Sequence, residues 1–311
     1  MSNTLTKKQQ EVVDLVLKEQ PEIVLLSGAK RAGKTYVLII LFLLHVAKYE
    51  NQRVRFILGG ASQGAIRRNI LTDLESILGK SIVLDKSNTF KLFGNLVTCF
   101  DGSDSSSYKA VRGFTSYGAL LNEATTLNEH FIQECLDRCS GEGAKIYMDT
   151  NPENPAHFVK TDFFDRGGKR SESGQLLIYS ENFTLFDNDK LSESYINRQI
   201  ELKPSGMFYD RDIMGKWVSG EGVIYPDFRA DTHFIKDTDV PYHDIVDAYC
   251  GVDWGYDHYG SIVVILEDSK GNRYMVEEYA ERHKDIDYWT EIAIGISRNY
   301  PTLKKDQFGR M

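Results

Sequence analysis

The chain has 311 residues, 41% of them hydrophobic and 26% charged, which describes a globular protein and excludes a disordered or fibrous one. A net charge of −8 argues against a protein that coats nucleic acid with its whole surface, although a locally basic channel stays compatible with it. Cys99, Cys135, Cys139 and Cys250 show neither a CxxC pair nor a histidine at zinc spacing, and read as reduced core thiols.

The first residues, "MSNTLTKKQQEVVDLV", are polar with alternating charge and carry no signal-peptide pattern. Within them Gln9 stands ahead of the first strand, where a side-chain amide can read an adenine edge. "EIVLLSG" predicts a buried strand and Lys34 to Lys48 a helix. The apolar run of that helix, Tyr36 to Ala47, is shorter than the ~20 residues of a membrane span, so a core helix and no membrane partner are expected. Between strand and helix lies "GAKRAGKT", where Gly28, Gly33, Lys34 and Thr35 match the G-x-x-x-x-G-K-[ST] spacing in its required context. Such a loop, Gly28, Ala29, Lys30, Arg31, Ala32 and Gly33, turns backbone N–H groups toward phosphate oxygens at a helix N-terminus. Lys34 would reach the β- and γ-phosphates, and the Thr35 hydroxyl would ligate Mg²⁺.

"VRFILGG" predicts the next strand and Gln63 to Leu78 a helix. Arg53, Arg55, Arg67 and Arg68 fall in a stretch without acids, either a phosphate-contacting patch or a solvated helix face. "FKLFGNLVTCF" predicts a hairpin turning at Gly94-Asn95. "YGALLNE" predicts a strand ending in Asn122-Glu123. Glu123 is placed to polarise an attacking water, and Asn122 stands where an aspartate usually helps hold Mg²⁺. An amide oxygen there can still accept from metal-bound water, but it lacks the charge. A helix from Asn128 to Cys139 and a strand "AKIYMDT" follow, and "MDTNPENP" puts Thr150 and Asn151 on the γ-phosphate side of the sheet. Strands rich in Val, Ile and Leu that alternate with helices predict an α/β fold, a P-loop NTPase parallel sheet with helices on both faces.

The expected motor domain is 1–218, including a small helical subdomain at about 186–218 whose two helices break at Pro204-Ser205-Gly206. Residues 219–246 have little periodicity and read as a linker. Residues 247–311 carry three strands, "AYCGVDWG", "SIVVILED" and "NRYMVEEY", and a helix from Asp285 to Asn299. That is little for a core of its own, so a partial domain is expected.

The order and spacing of "LTKKQ", "GAKRAGKT", "VRGFTSYGALLNEAT", "DTNPENPAHF", "PSGMFYDRDIMGKWVSGEGVIYPDF" and "GVDWGYDHYGSIVV" resembles the large terminase subunit of tailed bacteriophages over nearly the whole chain. This is the ATP-driven motor that packages DNA into proheads. The resemblance implies ATP and Mg²⁺, with Gln9 as the adenine reader, Lys34 and Thr35 as the Walker A pair, and Glu123 as the catalytic carboxylate. It also implies that Thr150 and Asn151 sense the γ-phosphate and relay its loss to DNA movement. Asp253 resembles the first metal-binding carboxylate of a ribonuclease-H-like nuclease, which uses Mg²⁺ or Mn²⁺. Asn122 departs from the family pattern. The chain also stops where further nuclease acids are expected, and Asp257, Glu277 and Glu278 are not shown to face Asp253. Two-metal cleavage needs several clustered acids, so the expectation is an incomplete nuclease domain that does not cleave.

An arginine finger, worth ~10³ to 10⁵ in rate, is expected from Arg31 in cis or from Arg112 projecting into a neighbouring subunit. Arg112 is favoured for that task and Arg31 for holding the loop and phosphates in register. The implied partners are double-stranded DNA, a portal protein, a small terminase subunit and further copies in a ring on the portal. The implied location is the host cytoplasm, docked transiently on the prohead and absent from the mature virion. Two rival readings stand beside this one. A P-loop helicase or recombination ATPase would leave the "GVDWG" strands unexplained. A non-catalytic nucleotide- and partner-binding remnant is motivated by Asn122.

Overall fold

Residues 5–218 and 233–300 are described by the computed structural model. They fall into two compact units, one within residues 1–224 and the other within 225–311.

The first unit opens with a helix that the apolar pattern does not announce. Thr6 and Gln9 form a reciprocal capping box at the start of α1 (Lys7–Glu19). There follow β1 (Ile23–Gly28), α2 (Lys34–Ala47) and β2 (Arg55–Gly60), as the apolar runs predict. The helix expected over 63–78 forms as α3 (Gln63–Ile66) and α4 (Thr72–Leu78) joined by a π turn at Arg67–Leu71. The hairpin β3 (Thr89–Leu92) and β4 (Asn95–Asp101) pairs Leu92 with Asn95. Its turn is therefore Phe93-Gly94, one residue earlier than expected. Both turn residues have positive φ (48° and 76°), which a two-residue loop requires if it is to match the strand twist.

Next come the short α5 (Tyr108–Val111), β5 (Gly118–Leu121), α6 (Glu129–Arg138) and β6 (Lys145–Thr150). No apolar run predicts the seventh strand, β7 (Ile178–Phe183), because Ser180, Glu181 and Asn182 interrupt its pattern on the sheet edge. The sheet order is β3-β4-β2-β5-β6-β1-β7. Its pairings are parallel except that of β3 with β4. Alternate strand residues enter opposite layers. Val24, Leu26, Phe56, Leu58, Leu120 and Tyr147 pack with α1 and α2, while Leu25, Ile57, Ala119, Leu121, Ile146 and Met148 pack with α6. The unit closes with α7 (Glu193–Leu202) and α8 (Met207–Asp212), separated at Pro204-Ser205-Gly206.

In the second unit β8 (Ile245–Asp253), β9 (Gly260–Asp268) and β10 (Arg273–Glu281) form an antiparallel meander. Asp285 caps the helix α9 (Ile286–Asn299). Ala248, Ile262, Val264 and Leu266 pack against Trp289 and Ile296 of that helix. Of the expected linker, 219–232 lies outside the described residues, and Asp237–Asp239 and Tyr242–Asp244 make single 3₁₀ turns.

Candidate nucleotide-binding site

The carboxyl ends of β1, β5 and β6 lie side by side, the position at which parallel α/β sheets bind ligands. From β1 the chain enters the phosphate loop at Gly28, φ +143°, where a Cβ would sit 2.0 Å from the Phe183 carbonyl oxygen. The loop ends at Gly33, which caps α2 in the left-handed region without a side-chain hydrogen bond. The first N–H groups of α2 are thus left for a ligand. Lys34 folds back over the loop, donating to the carbonyls of Gly28 (2.8 Å) and Ala29 (2.7 Å) and to Asn151 Oδ1 (3.2 Å). Burial draws its pKa down to about 8, opposed by the charges of Asp149 and Glu123.

Gln9 is 3% exposed and does not line the cavity. Its Oε1 accepts from the Thr6 N–H (2.9 Å) and its Nε2 donates to the Gly33 carbonyl (2.8 Å). A two-point grip on an adenine edge would require breaking the capping box, so in this structure Gln9 braces the loop.

Beyond β5 and β6 the polar groups converge on a residue that the sequence motifs do not single out. Asp149, 2% exposed, accepts from the Thr35 hydroxyl, from Asn122 Nδ2 (3.0 and 3.2 Å) and from the Glu123 N–H (3.1 Å). Asn122 Oδ1 accepts in turn from Asn69 Nδ2 (2.9 Å). The Asn122 amide, expected to offer an oxygen toward metal-bound water, is here engaged through Nδ2 on Asp149 and through one of its two Oδ1 lone pairs on Asn69. The signal of Asp149 in the sequence is an acid inside the otherwise apolar strand "KIYMDT". Glu123 itself is in the left-handed region, φ 52°. Burial and the nearby Asp149 raise its carboxyl pKa, against Lys30, Lys34 and Arg68. Thr150 is buried, and its hydroxyl meets that of Thr125 at 2.7 Å, tying the segment after Glu123 to the end of β6.

These side chains surround a cavity of about 630 Å³. Lys30, Arg31, Ala32, Gly33, Lys34, Thr35, Asn122, Glu123, Asp149 and Asn151 line it, together with Arg68 and Asn69 of the π turn. Gly28 lines a second cavity of about 420 Å³ that shares Lys30, Glu123 and Asn151 with the first, and Ala29 is buried. Hard cations take oxygen ligands, so the Thr35 hydroxyl beside the Asp149 carboxylate is a donor set that fits Mg²⁺.

Arg31 lies with its guanidinium 4.9 Å from the Tyr195 ring centre, while its carbonyl accepts from Asn188 Nδ2 (2.7 Å). Arg112 is outside the cavity, stacked on Tyr108 (4.6 Å) and 3.8 Å from Glu134. Asp253 ends β8 opposite Ser261 and is exposed. Glu277 accepts from the hydroxyls of Tyr279 (2.7 Å) and Tyr300 (2.6 Å). Among the described residues no three His, Cys, Asp or Glu side chains converge as a metal-binding group.

Residues 25–230, more than half of the chain, match the family model described as terminase large subunit, T4likevirus-type, N-terminal. Among solved structures, the large terminase of a thermophilic bacteriophage is similar with a TM-score of 0.62 at 26% identity, covering 97% of this chain and 77% of that one. The same thermophilic-phage protein in complex with ADP gives 0.60 at 26% identity, covering 97% and 76%. The bacteriophage HK97 large terminase shares the fold, with a TM-score of 0.51 at 14% identity over 97% and 69%. No curated protein sequence matches the chain.

Proposed function

The chain belongs to the terminase large-subunit family, and from that premise we propose that it hydrolyses ATP to drive double-stranded viral DNA into proheads. The observation that carries the reading is the meeting of Lys34, Thr35, Glu123 and Asp149 in one cavity. The ADP held by the thermophilic-phage relative supports adenine nucleotide as the ligand here.

The α2 N-terminus and Lys34 bind phosphate oxygens, and a nucleotide draws the ammonium away from the Gly28 and Ala29 carbonyls. Thr35 with Asp149 would hold Mg²⁺, which supplies charge neutralisation to the phosphates when bound. Glu123, its carboxyl raised by burial, takes the proton of the attacking water. Asn151 follows the γ-phosphate through Lys34, and the Thr125–Thr150 hydroxyl pair carries that change to the segment beyond Glu123. Arg31 steadies the loop from within, and Arg112, 61% exposed, is available to a neighbouring subunit as the finger. The motor works in a ring on a portal protein with a small terminase subunit, in the host cytoplasm, and leaves before the virion matures. Its grip on DNA is mainly through phosphates, hence sensitive to salt. The motor domain is assigned to 1–218, with a nuclease-like unit from 247 onward.

DNA-stimulated ATP hydrolysis tests the reading. Glu123→Gln is expected to lower turnover by ~10² to 10⁴ while ATP still binds. Hydrolysis unchanged in that variant, or hydrolysis coupled to strand separation in the unaltered chain, overturns it.

A further inference from the structure

We propose that Asp149 on β6 is the metal-anchoring carboxylate of this site, and that Asn122 after β5, oriented by Asn69, is its positioning residue. The acid lies on β6, and the amide stands after β5 where the sequence analysis expects an acid. The proposal rests on the ATPase reading above and specifies its metal side.

What each group can donate or accept fixes how the pair is oriented. A carboxylate only accepts, so the Asn122 amide must turn its Nδ2 toward Asp149. Its Oδ1 is then directed away and accepts from Asn69. Asn122 is 2% exposed, with Nδ2 given to Asp149 and one of the two Oδ1 lone pairs to Asn69. Asp149 pairs in register with Leu26 of β1, beside the phosphate loop, whereas Asn122 follows a strand two places away in the sheet. The acid is thus on the strand nearer to Thr35. A hydroxyl has one hydrogen and two lone pairs. When the Thr35 hydrogen goes to Asp149, its lone pairs remain for a cation, so the acid both aims the ligand and supplies the charge.

A carboxylate buried this deeply needs partners. Asp149 has donors from the phosphate loop, from the end of β5 and from the Glu123 backbone. It thereby ties the catalytic glutamate's backbone to the metal-side hydroxyl. Asn69 belongs to the π turn, a device found at functional sites, where it turns a side chain that a regular helix would place elsewhere.

The test compares the full chain with Asp149→Asn and with the exchanged pair Asn122→Asp/Asp149→Asn. Binding of a fluorescent ATP analogue is measured in EDTA and in Mg²⁺, and bound Mn²⁺ is counted directly by electron paramagnetic resonance. Asp149→Asn is expected to lose ~10- to 100-fold in Mn²⁺ affinity in the presence of nucleotide, while binding in EDTA stays within ~3-fold. The exchanged pair is expected to recover most of that loss. Asn69→Ala, at a half-buried site, is expected to weaken Mn²⁺ without altering binding in EDTA. Wild-type Mn²⁺ affinity in Asp149→Asn overturns the proposal. So does an exchanged pair that binds nucleotide in EDTA yet holds no Mn²⁺. If the unaltered chain binds no nucleotide in either condition, it is the ATPase reading that fails.

Discussion

Gln9 shows how a candidate ligand-reading side chain can also serve the fold. Its amide is committed twice inside the protein, to Thr6 and to Gly33. Gln9→Ala would leave the Gly33 carbonyl only its long bond from the Val37 N–H (3.4 Å) and open the cap of α1, at a cost of about 1–3 kcal/mol in chemical denaturation. If bracing the loop is its main task, ATP and GTP weaken alike in that variant, whereas a selective loss of ATP binding supports the adenine-reading role. The loop residues Gly28 to Thr35 are legible because their function is written in local spacing. Asp149 is not, because its meaning depends on which strands neighbour β6. A strand-end acid gains chemistry only when the topology sets it beside β1, and no local pattern encodes that.

Elements are legible in proportion to their periodicity. The apolar runs mark β1, β2, β5, β6 and α2 nearly to their ends, while β7 is hidden by polar residues on an edge. The hairpin slips by one residue because Phe93 is an unusual occupant of a positive-φ turn position. Within α2, the sequence presents His45 simply as part of an apolar helix. It is 3% exposed, with Nε2 against the Tyr117 carbonyl at 2.8 Å and the rings of Tyr49, Phe56 and Tyr147 around it. Burial lowers its pKa to about 4, the Tyr117 hydrogen bond opposes that, and Lys48 and Lys145 add to it. The unfolded chain, with a histidine pKa of about 6.5, therefore binds more protons than the folded one between these two values. Stability from this group is complete above about pH 6.5 and is lost as the pH falls toward 4, a change of about 2 kcal/mol between pH 7 and pH 5. His45→Phe should flatten the pH dependence of unfolding over that interval, and an unaltered slope would assign the acid sensitivity to other groups.

At the scale of the whole molecule, the second unit is a three-stranded meander with one helix among the described residues, and there its exposed Asp253 is joined by no second acid in a metal-binding group. Glu277, one of the acids within reach by sequence, is engaged by two tyrosine hydroxyls. Supercoiled plasmid incubated with this chain and Mn²⁺ tests the second unit, and the engagement of Glu277 by Tyr279 and Tyr300 favours an uncut product. Nicking that disappears in Asp253→Ala would show a working cleavage centre.

The contact between Asn122 and Asp149 also makes the two positions interdependent. Replacing Asn122 alone by aspartate would set two buried carboxylates about 3 Å apart, and one of them would have to keep its proton. Replacing Asp149 alone by asparagine would leave the site with no acid beside Thr35. Either single replacement is therefore expected to disturb the site more than the double replacement does, so the two positions act as one coupled pair.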